Sequence, residues 1–252
     1  MFKQSKKTIW VSVILTSVIL VLLNIYVQND NRVNIITAVL GSIIASIVIS
    51  IFYNEELHSS LSLYKKIGLN EYYDNFEVIQ DKVRSKISEA KEVDIYVIYA
   101  NTFFSSSTIA IKNILSRRDS KLRIFLYDEQ NIFLQAYGNQ WGIKNNDAKY
   151  DLEGLKKLIN QVKTELVNIY NEIDESKRGK LEIFEILDAP VSHSFYKIDS
   201  ELFYVPSKNT KFKSFKLPIF LFKDTKDEKC MFAKIESEIN TMMNNNELKQ
   251  IF

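Results

Sequence analysis

Two long uncharged stretches open the chain, and a mixture of helical and extended patterns follows them. The stretches cover residues 8–29 and 33–54, each 22 residues long. A helix rises about 1.5 Å per residue, so each stretch spans roughly 30 Å, the thickness of a bilayer's hydrocarbon core. The short link between them requires the two helices to be antiparallel. The pattern therefore predicts a two-helix transmembrane hairpin in residues 1–54, with spans at about 8–28 and 33–53.

A signal peptide and a pair of buried soluble helices are the competing interpretations of this region. The first stretch is longer than the roughly 7–15 apolar residues typical of a signal peptide, and no small-x-small cleavage site precedes Asp30. Neither stretch carries the charged face that a helix on the surface of a soluble protein presents. Both features favour the membrane hairpin.

Basic residues lie at the outer ends of the two stretches, which an antiparallel hairpin places on the same side of the membrane. Lys3, Lys6 and Lys7 precede the first, and Lys65 and Lys66 follow the second. Cytoplasmic segments next to membrane spans are enriched in Lys and Arg, which places both ends of the hairpin in the cytoplasm. We therefore expect a multi-pass protein of the bacterial inner membrane, with the lipid bilayer as its first partner.

Small residues distinguish the second span from the first. They are Ala38, Gly41, Ser42, Ala45, Ser46 and Ser50. Residues spaced by four lie along one side of a helix, and small ones let another backbone approach closely. Two interpretations stay open: packing of the second span against the first within one chain, and self-association of several chains around a polar path. Neither span contains an ionisable residue, which argues against a proton relay.

The remaining residues are numerous enough for a domain with its own core. A helical pattern from Leu57 to about Lys91, broken near Gly68 and Asn70, predicts juxtamembrane helices over 55–91. Apolar and β-branched runs then predict strands over 93–99, 122–127, 181–186, 193–198, 201–205 and 217–223. Helices are predicted near 105–117, 131–141, 152–173 and 228–243. This order predicts a mixed α/β cytosolic domain over 92–252.

Composition limits the chemistry of this domain. Two His and one Cys cannot form a Cys/His zinc site, and the six Gly lack the spacing of a phosphate-binding loop. Residues 1–54 hold four of the 33 basic and one of the 31 acidic residues, so the rest of the chain is close to neutral. A near-neutral domain argues against a broad nucleic-acid interface. We expect no metal, no cofactor and no direct nucleic-acid partner.

Four segments resemble, in order, one half-domain of the phospholipase D superfamily. They are AKEVDIYVIYA, KLRIFLYDEQN, SHSFYKIDSELFYVPSKN and LPIFLFKDTKDEKCMFAKIESEI, within about residues 70–245. The third is similar to the family's strand–turn–strand motif, in which a His and a Lys two residues apart precede an Asp, and a Ser and an Asn follow. The resemblance implies a phospholipase D-like half-domain.

This sequence departs from the family's motif at the catalytic positions. With Asp199 at the motif's Asp, Ser192 takes the His position and Ser194 the Lys position. His193 is one residue out of register, and on a strand such a shift turns a side chain to the opposite face. The resemblance therefore implies a degenerate, non-catalytic domain. Its candidate residues for anion or nucleotide binding are Ser192, Ser194, Ser207 and Asn209.

Three functions remain open at this stage. The first is a membrane effector, similar in architecture to small two-span proteins of bacterial antiphage systems, including retron-associated ones. It would disrupt the inner membrane when its cytosolic domain is triggered, and it would self-associate. Its regulator would be a protein or a ribonucleoprotein, such as a reverse transcriptase with its RNA. The second is a phosphodiesterase or nuclease built from two half-domains around His193, and the third is a non-catalytic membrane-tethered binding protein.

Overall fold

The computed structural model describes residues 31–98, 101–145, 151–190, 192–206 and 217–252, together with scattered helical positions between 14 and 25. The chain divides into two compact units, Met1–Leu63 and Tyr64–Phe252.

Helix α1 occupies Asn31–Ile67, and no charged residue lies between Arg32 and Glu55. Its segment Ala38–Ile67 has a mean hydropathy of 1.7 over its most apolar window, and none of that window is buried. Among the described residues this is the one helix long and apolar enough to cross a membrane. The first predicted span, 8–28, lies largely outside the described residues, so the two-helix hairpin stays a prediction.

The second unit is a mixed α/β domain, as the order of the sequence patterns predicts. Its helices are α2 (Gln80–Glu89), α3 (Asn101–Leu115), α4 (Ile132–Asn145), α5 (Leu152–Asn171) and α6 (Met231–Asn244). A short 3-10 helix, Glu77–Ile79, precedes α2. The strands are β1 (Leu69–Tyr73), β2 (Glu92–Tyr96), β3 (Lys121–Tyr127), β4 (Lys180–Ile186), β5 (His193–Ile198), β6 (Glu201–Pro206), β7 (Ile219–Lys223) and β8 (Leu248–Gln250).

The strands form one sheet of eight in the order β1-β7-β6-β5-β2-β3-β4-β8. Strands β2, β3 and β4 are parallel to one another, because helices connect them. The remaining neighbours are antiparallel, including the hairpin of β5 and β6. The carboxyl ends of β2, β3 and β4 therefore share an edge of the sheet with His193 at the start of β5.

The two faces of the sheet pack against different helices. On one face, Tyr196 of β5 contacts Phe76 and Phe103, the latter on α3. On the other face, which we call the α6 face, Lys197 of β5 contacts Phe232 and Glu236 of α6. Adjacent strand residues point to opposite faces, so one strand supplies both layers of the core.

The amphipathic pattern of α5 shows how the sequence specifies one of these layers. The helix is present where the pattern predicts it, and its buried apolar stripe consists of Leu155, Leu158, Ile159, Val162, Leu166 and Ile169. Asp151 caps the helix by accepting the backbone N–H of Gly154 at 2.7 Å. The helix therefore begins where the cap stands and buries one continuous face.

Two strands were not predicted from the sequence. The predicted break near Gly68 is present, but strand β1 follows it where the helical pattern was expected to resume. Gly68 has φ of +81°, and a Cβ there would collide with the carbonyl oxygen of Lys223. The glycine thus lets the chain turn from α1 into a strand that pairs with β7. The other missed strand, β8, pairs with β4 and has only three residues.

Candidate functional site

The segment with the phospholipase D-like pattern starts strand β5 and ends in a tight turn. His193 is the first residue of β5, and Asp199 follows its last residue. Strands rise about 3.3 Å per residue, so these two residues lie roughly 20 Å apart. Asp199 has φ of 49°, and its carboxylate accepts the backbone N–H groups of Lys91 at 3.0 Å and Glu92 at 2.9 Å. Asp199 therefore stabilises the turn and is remote from His193.

His193 is buried among aromatic rings. Its ring stacks with Tyr96 at a centroid distance of 5.4 Å and with Tyr204 at 5.2 Å. Its Nδ1 lies 2.7 Å from the hydroxyl oxygen of Ser192. Burial lowers the pKa of the imidazole below its ordinary value, so the ring is neutral at pH 7. No described carboxylate is hydrogen-bonded to the ring, so the Ser192–His193 pair lacks the third group that orients a catalytic base.

The position two residues after His193 cannot bind phosphate. It holds Phe195, which is 1% exposed. The next candidate, Ser194, points to the face of the sheet opposite His193 and pairs with Val205. The Lys of this strand is Lys197, four residues after His193, and it is engaged elsewhere.

Lys197 belongs to a buried network of charges on the α6 face. Its Nζ lies 2.8 Å from Oε1 of Glu236 and 3.4 Å from Oδ2 of Asp94. Arg123 binds both oxygens of Asp94 with two hydrogen bonds of 2.6 Å. Burial acts to lower the pKa of Arg123, but the hydrogen bonds and charge of Asp94 outweigh it and raise the pKa. Each buried cation is thus neutralised by a carboxylate, and Lys197 is not free for a phosphate.

The network extends along one row across the sheet. Strand register places Glu182 beside Arg123, Arg123 beside Asp94, and Asp94 beside Lys197. Glu182 also pairs with Lys121 at 2.9 Å and, on its own strand, with Lys180 at 2.6 Å. Sequence reasoning missed this row. Its signal was a charged residue inside each largely apolar strand: Asp94 in β2, Arg123 in β3, Glu182 in β4 and Lys197 in β5.

An aromatic row lies next to the charged row on the α6 face. Strand register aligns Phe184, Phe125, Tyr96, Phe195, Tyr204 and Phe220. The rings of Phe125 and Phe184 stack at 5.1 Å, and those of Tyr96 and Phe195 at 5.2 Å. Aromatic side chains therefore fill the space where a phosphoryl-transfer site would need cations and open volume.

Two tyrosines close the edge of the sheet near His193. The hydroxyl of Tyr127 donates to the carbonyl of Pro190 at 2.9 Å and lies 3.4 Å from that of Tyr96. Burial raises the pKa of both phenols, so neither ionises near pH 7. The groups that His193 contacts are thus a hydroxyl and aromatic rings, an arrangement suited to packing; the carboxylate of Glu238, whose pKa burial raises, acts on Tyr96 and Tyr204 from a greater distance.

The structure brings together only part of the predicted ligand site. Ser192 is exposed and bonded to His193, whereas Ser194 lies on the other face of the sheet. Ser207 and Asn209 lie outside the described residues. The described serines do not converge on one point.

The predicted packing residues of the second span all lie on helix α1 and are exposed. They are Ala38, Gly41, Ser42, Ala45, Ser46 and Ser50. The hydroxyl of Ser42 donates to the carbonyl of Val39 and that of Ser46 to the carbonyl of Ser42, both at 2.8 Å. A Cβ added at Gly41 would meet nothing within 4 Å. Because those two hydroxyls are bonded within the helix, this surface suits an apolar environment.

A shallow open groove of about 710 Å³ runs along α5, and the sequence did not predict it. It is lined by Ser105, Lys157, Asn160, Gln161, Thr164, Glu165, Asn168, Ile169 and Glu172. The lining contains both signs of charge and many amides, which favours no single class of ligand. Among the described residues, no group of three or more His, Cys, Asp or Glu side chains could hold a metal ion.

Comparisons with known proteins add little to this geometry. No protein-family model matches the chain, and no curated protein matches it. Among solved structures, the chain is similar to TrmBL2, an archaeal chromatin protein whose structure shows a novel mode of DNA binding. The two chains are 12% identical over 86% of this chain and 71% of that one, with a TM-score of 0.38. A similarity of this size carries no argument about fold or function.

Proposed function

We propose that this chain is a membrane-anchored effector of a bacterial antiphage system. In the proposal, residues 1–54 form a two-span hairpin in the inner membrane with both ends in the cytoplasm. The cytosolic domain keeps the hairpin inactive until it is triggered, and the triggered protein disrupts the membrane and halts growth. The abortive-infection setting rests on the resemblance in architecture to small two-span defence proteins.

The observation that carries the proposal is the exposed apolar helix α1 joined to a folded α/β domain. The 22 uncharged residues of α1, 33–54, span roughly 30 Å, and no side chain of its described apolar window is buried. Such a surface is stable in lipid and costly in water. Lys65 and Lys66 in the last turn of α1 support a cytoplasmic location for this end.

The interior of the domain supports regulation over catalysis. Phe195 occupies the position of a phosphate-binding Lys, and Lys197 is neutralised by Asp94 and Glu236. A phosphodiesterase needs an accessible base and a free cation at one point. His193 is instead buried and neutral.

The proposed partners follow from this role. Several copies of the chain would assemble in the bilayer, and a regulatory protein or ribonucleoprotein would bind the cytosolic domain. A reverse transcriptase with its RNA is one such regulator. The same domain geometry also suits a membrane-tethered binding protein that leaves the bilayer intact, because the unit Tyr64–Phe252 is compact by itself.

The deciding experiment induces the full chain in bacteria without its proposed regulator and follows growth and propidium entry. The effector proposal expects dye entry together with growth arrest. Two matched chains serve as controls: residues 64–252 alone, and the full chain with Ile44→Asp in the middle of the span. Neither should admit dye. Growth arrest with an intact membrane would favour the tethered binding protein and contradict the effector.

A second experiment tests whether the domain is a phosphodiesterase or nuclease that depends on His193. His193→Phe keeps the ring stack and removes both imidazole nitrogens. We expect it to arrest growth as the wild type does. Loss of the phenotype in a variant that still reaches the membrane would favour the phosphodiesterase or nuclease.

A further inference from the structure

Apolar side chains on helix α1 repeat at alternating intervals of three and four residues. The first position of successive heptads holds Leu40, Ile47, Asn54 and Leu61. The fourth position holds Ile43, Ser50 and Leu57. This spacing keeps one seam facing a partner helix over several turns, as in a coiled coil. We call these seven residues the heptad face.

The heptad face continues beyond the part of α1 that lipid can cover. The uncharged stretch ends at residue 54, yet Leu57 and Leu61 are 45% and 44% exposed. Within the uncharged stretch, Ile43 and Ile47 are each 49% exposed on the same seam. Apolar side chains that leave the bilayer gain from burial against another apolar surface. The seam therefore needs a partner outside the membrane as well as within it.

Three small residues of α1, Ala38, Gly41 and Ala45, lie on the side of the helix opposite the heptad face, whereas Ser50 belongs to the heptad face. Each residue advances the side-chain direction by about 100°, so Ala38, Gly41 and Ala45 lie opposite Leu40 and Ile47. A single neighbouring helix cannot cover both sides. The side of α1 with Ala38, Gly41 and Ala45 can thus pack closely against one helix, while the larger side chains of the heptad face can contact another.

Asn54 identifies what fits the heptad face. It is the one amide in the seam, and an amide both donates and accepts hydrogen bonds. In two copies aligned in register, Asn54 meets its own equivalent, so the polar group is satisfied without any other partner. A single polar residue at such a position selects register and number of strands. Copies of one membrane protein insert in the same direction, which makes the pairing parallel.

The residues flanking the seam agree with self-pairing. In a parallel pair, Tyr53 would lie across from His58, and Ser60 across from Lys65. No like charges meet at either pair, and Glu55 and Glu56 fall at outer heptad positions. Electrostatic repulsion between copies is therefore absent along the seam.

We propose that helix α1 forms a parallel pair with α1 of a second copy of this chain through the heptad face, with Asn54 fixing its register. The inference rests on the proposed membrane anchoring and names the surface and partner for self-association. It assigns self-association to the heptad face and leaves the side of Ala38, Gly41 and Ala45 for packing within one chain.

Disulfide trapping in native membranes tests this assignment. Single cysteines replace Leu57, Leu61, Ser59, Ala38 and Ala45 in the full chain carrying Cys230→Ser, and membranes are oxidised with copper phenanthroline. Cys230 is fully buried at the N-cap of α6, where Ser is also a good cap. We expect at least fivefold more disulfide-linked dimer from positions 57 and 61 than from position 59. Trapping that is stronger at 38 and 45, or equal at 57 and 59, overturns the proposal, as does the absence of dimer everywhere.

A double substitution separates this inference from the proposed function. Leu57→Glu with Leu61→Glu should abolish chemically cross-linked dimer in membranes, whereas Ser59→Glu at an outer heptad position should retain it. Both variants should remain in the membrane fraction. A wild type that pairs through the heptad face but admits no dye supports the pairing and contradicts the effector. A wild type that admits dye but retains its dimers in the double variant contradicts only the pairing.

Discussion

Helix α1, which we propose lies in lipid, and the interior of the α/β domain avoid unpaired charges in two different ways. Between residues 33 and 54, α1 has no charged residue at all. The α6 face of the sheet instead buries Asp94 and Lys197, partly buries Arg123, and pairs each with an opposite charge. An unpaired charge is unstable in both environments. A single exposed helix can only exclude charges, whereas a sheet with fixed register can pair them.

The largest effect is expected from breaking the pairing inside the domain. Asp94→Leu removes the carboxylate that Arg123 and Lys197 share, which leaves Glu236 as the partner of Lys197 and Glu182 beside Arg123. Removing one partner of a buried ion pair costs about 3–5 kcal/mol of unfolding free energy. Urea denaturation of residues 64–252, followed by tyrosine fluorescence, measures this loss. As a control, Glu236→Gln changes a side chain that is 47% exposed and should cost less than about 1 kcal/mol. Equal losses in the two variants would contradict the role of Asp94.

A charge placed in α1 tests whether this helix excludes charges because it crosses a membrane. Ile44→Asp introduces an unpaired carboxylate near the middle of the uncharged stretch. Such a residue costs about 3 kcal/mol of membrane insertion free energy at the centre of a helix. In residues 31–252, which lack the first predicted span, carbonate extraction of membranes should release this variant into the soluble fraction. Ser59→Asp, beyond the uncharged stretch, should stay in the pellet with the wild type. Retention of both variants would argue against α1 as a membrane span.

A smaller effect is expected from titrating a polar group that the domain buries without a counter-charge. Burial lowers the pKa of His193, so the folded domain takes up its proton at lower pH than the unfolded chain, whose His has a pKa of about 6.5. Below about pH 6.5 the unfolded state binds more protons. The unfolding free energy therefore falls as pH drops, by at most about 1.4 kcal/mol per pH unit.

Thermal unfolding of residues 64–252 between pH 7.5 and 5.5 checks this dependence. His193→Phe keeps the aromatic stack and should flatten the profile in that range. An unchanged slope in the variant would assign the pH dependence to other groups.

The smallest effect is expected from a charge pair at the surface. Lys112 of α3 and Glu172 beyond α5 form a bridge of 3.0 Å, with side chains 49% and 64% exposed. Water screens such a pair, so Lys112→Met should change the unfolding free energy by no more than about 0.5 kcal/mol. A loss near that of Asp94→Leu would remove the distinction between buried and exposed pairs.

The elements that the sequence predicts correctly are those whose residue pattern lies within one continuous segment. The stripe of α5 repeats at helical spacing, and the turn at Asp199 and Ser200 divides two short strands, so both were predictable. Strand β1 was missed because its edge position leaves Glu71 and Tyr72 exposed, which hides the alternation of a strand. Strand β8 is too short to give a pattern.

The candidate site was harder to predict because the contacts of its residues depend on how the strands pair. Asp94, Arg123 and Lys197 are distant in sequence, and only the pairing of β2 with β3 and β5 brings them together. The offset of His193 from the motif was visible in the sequence. Its burial between Tyr96 and Tyr204 was not, because that depends on which strands flank β5.

Measuring the membrane potential of intact cells is the most direct test of the proposed membrane-disrupting role. Cells expressing the full chain without its regulator are followed with a potential-sensitive dye, beside cells expressing residues 64–252 at the same level. The effector proposal predicts depolarisation within the time of growth arrest for the full chain and a steady potential for the domain alone. A steady potential in arrested cells that contain the full chain in their membranes would contradict it.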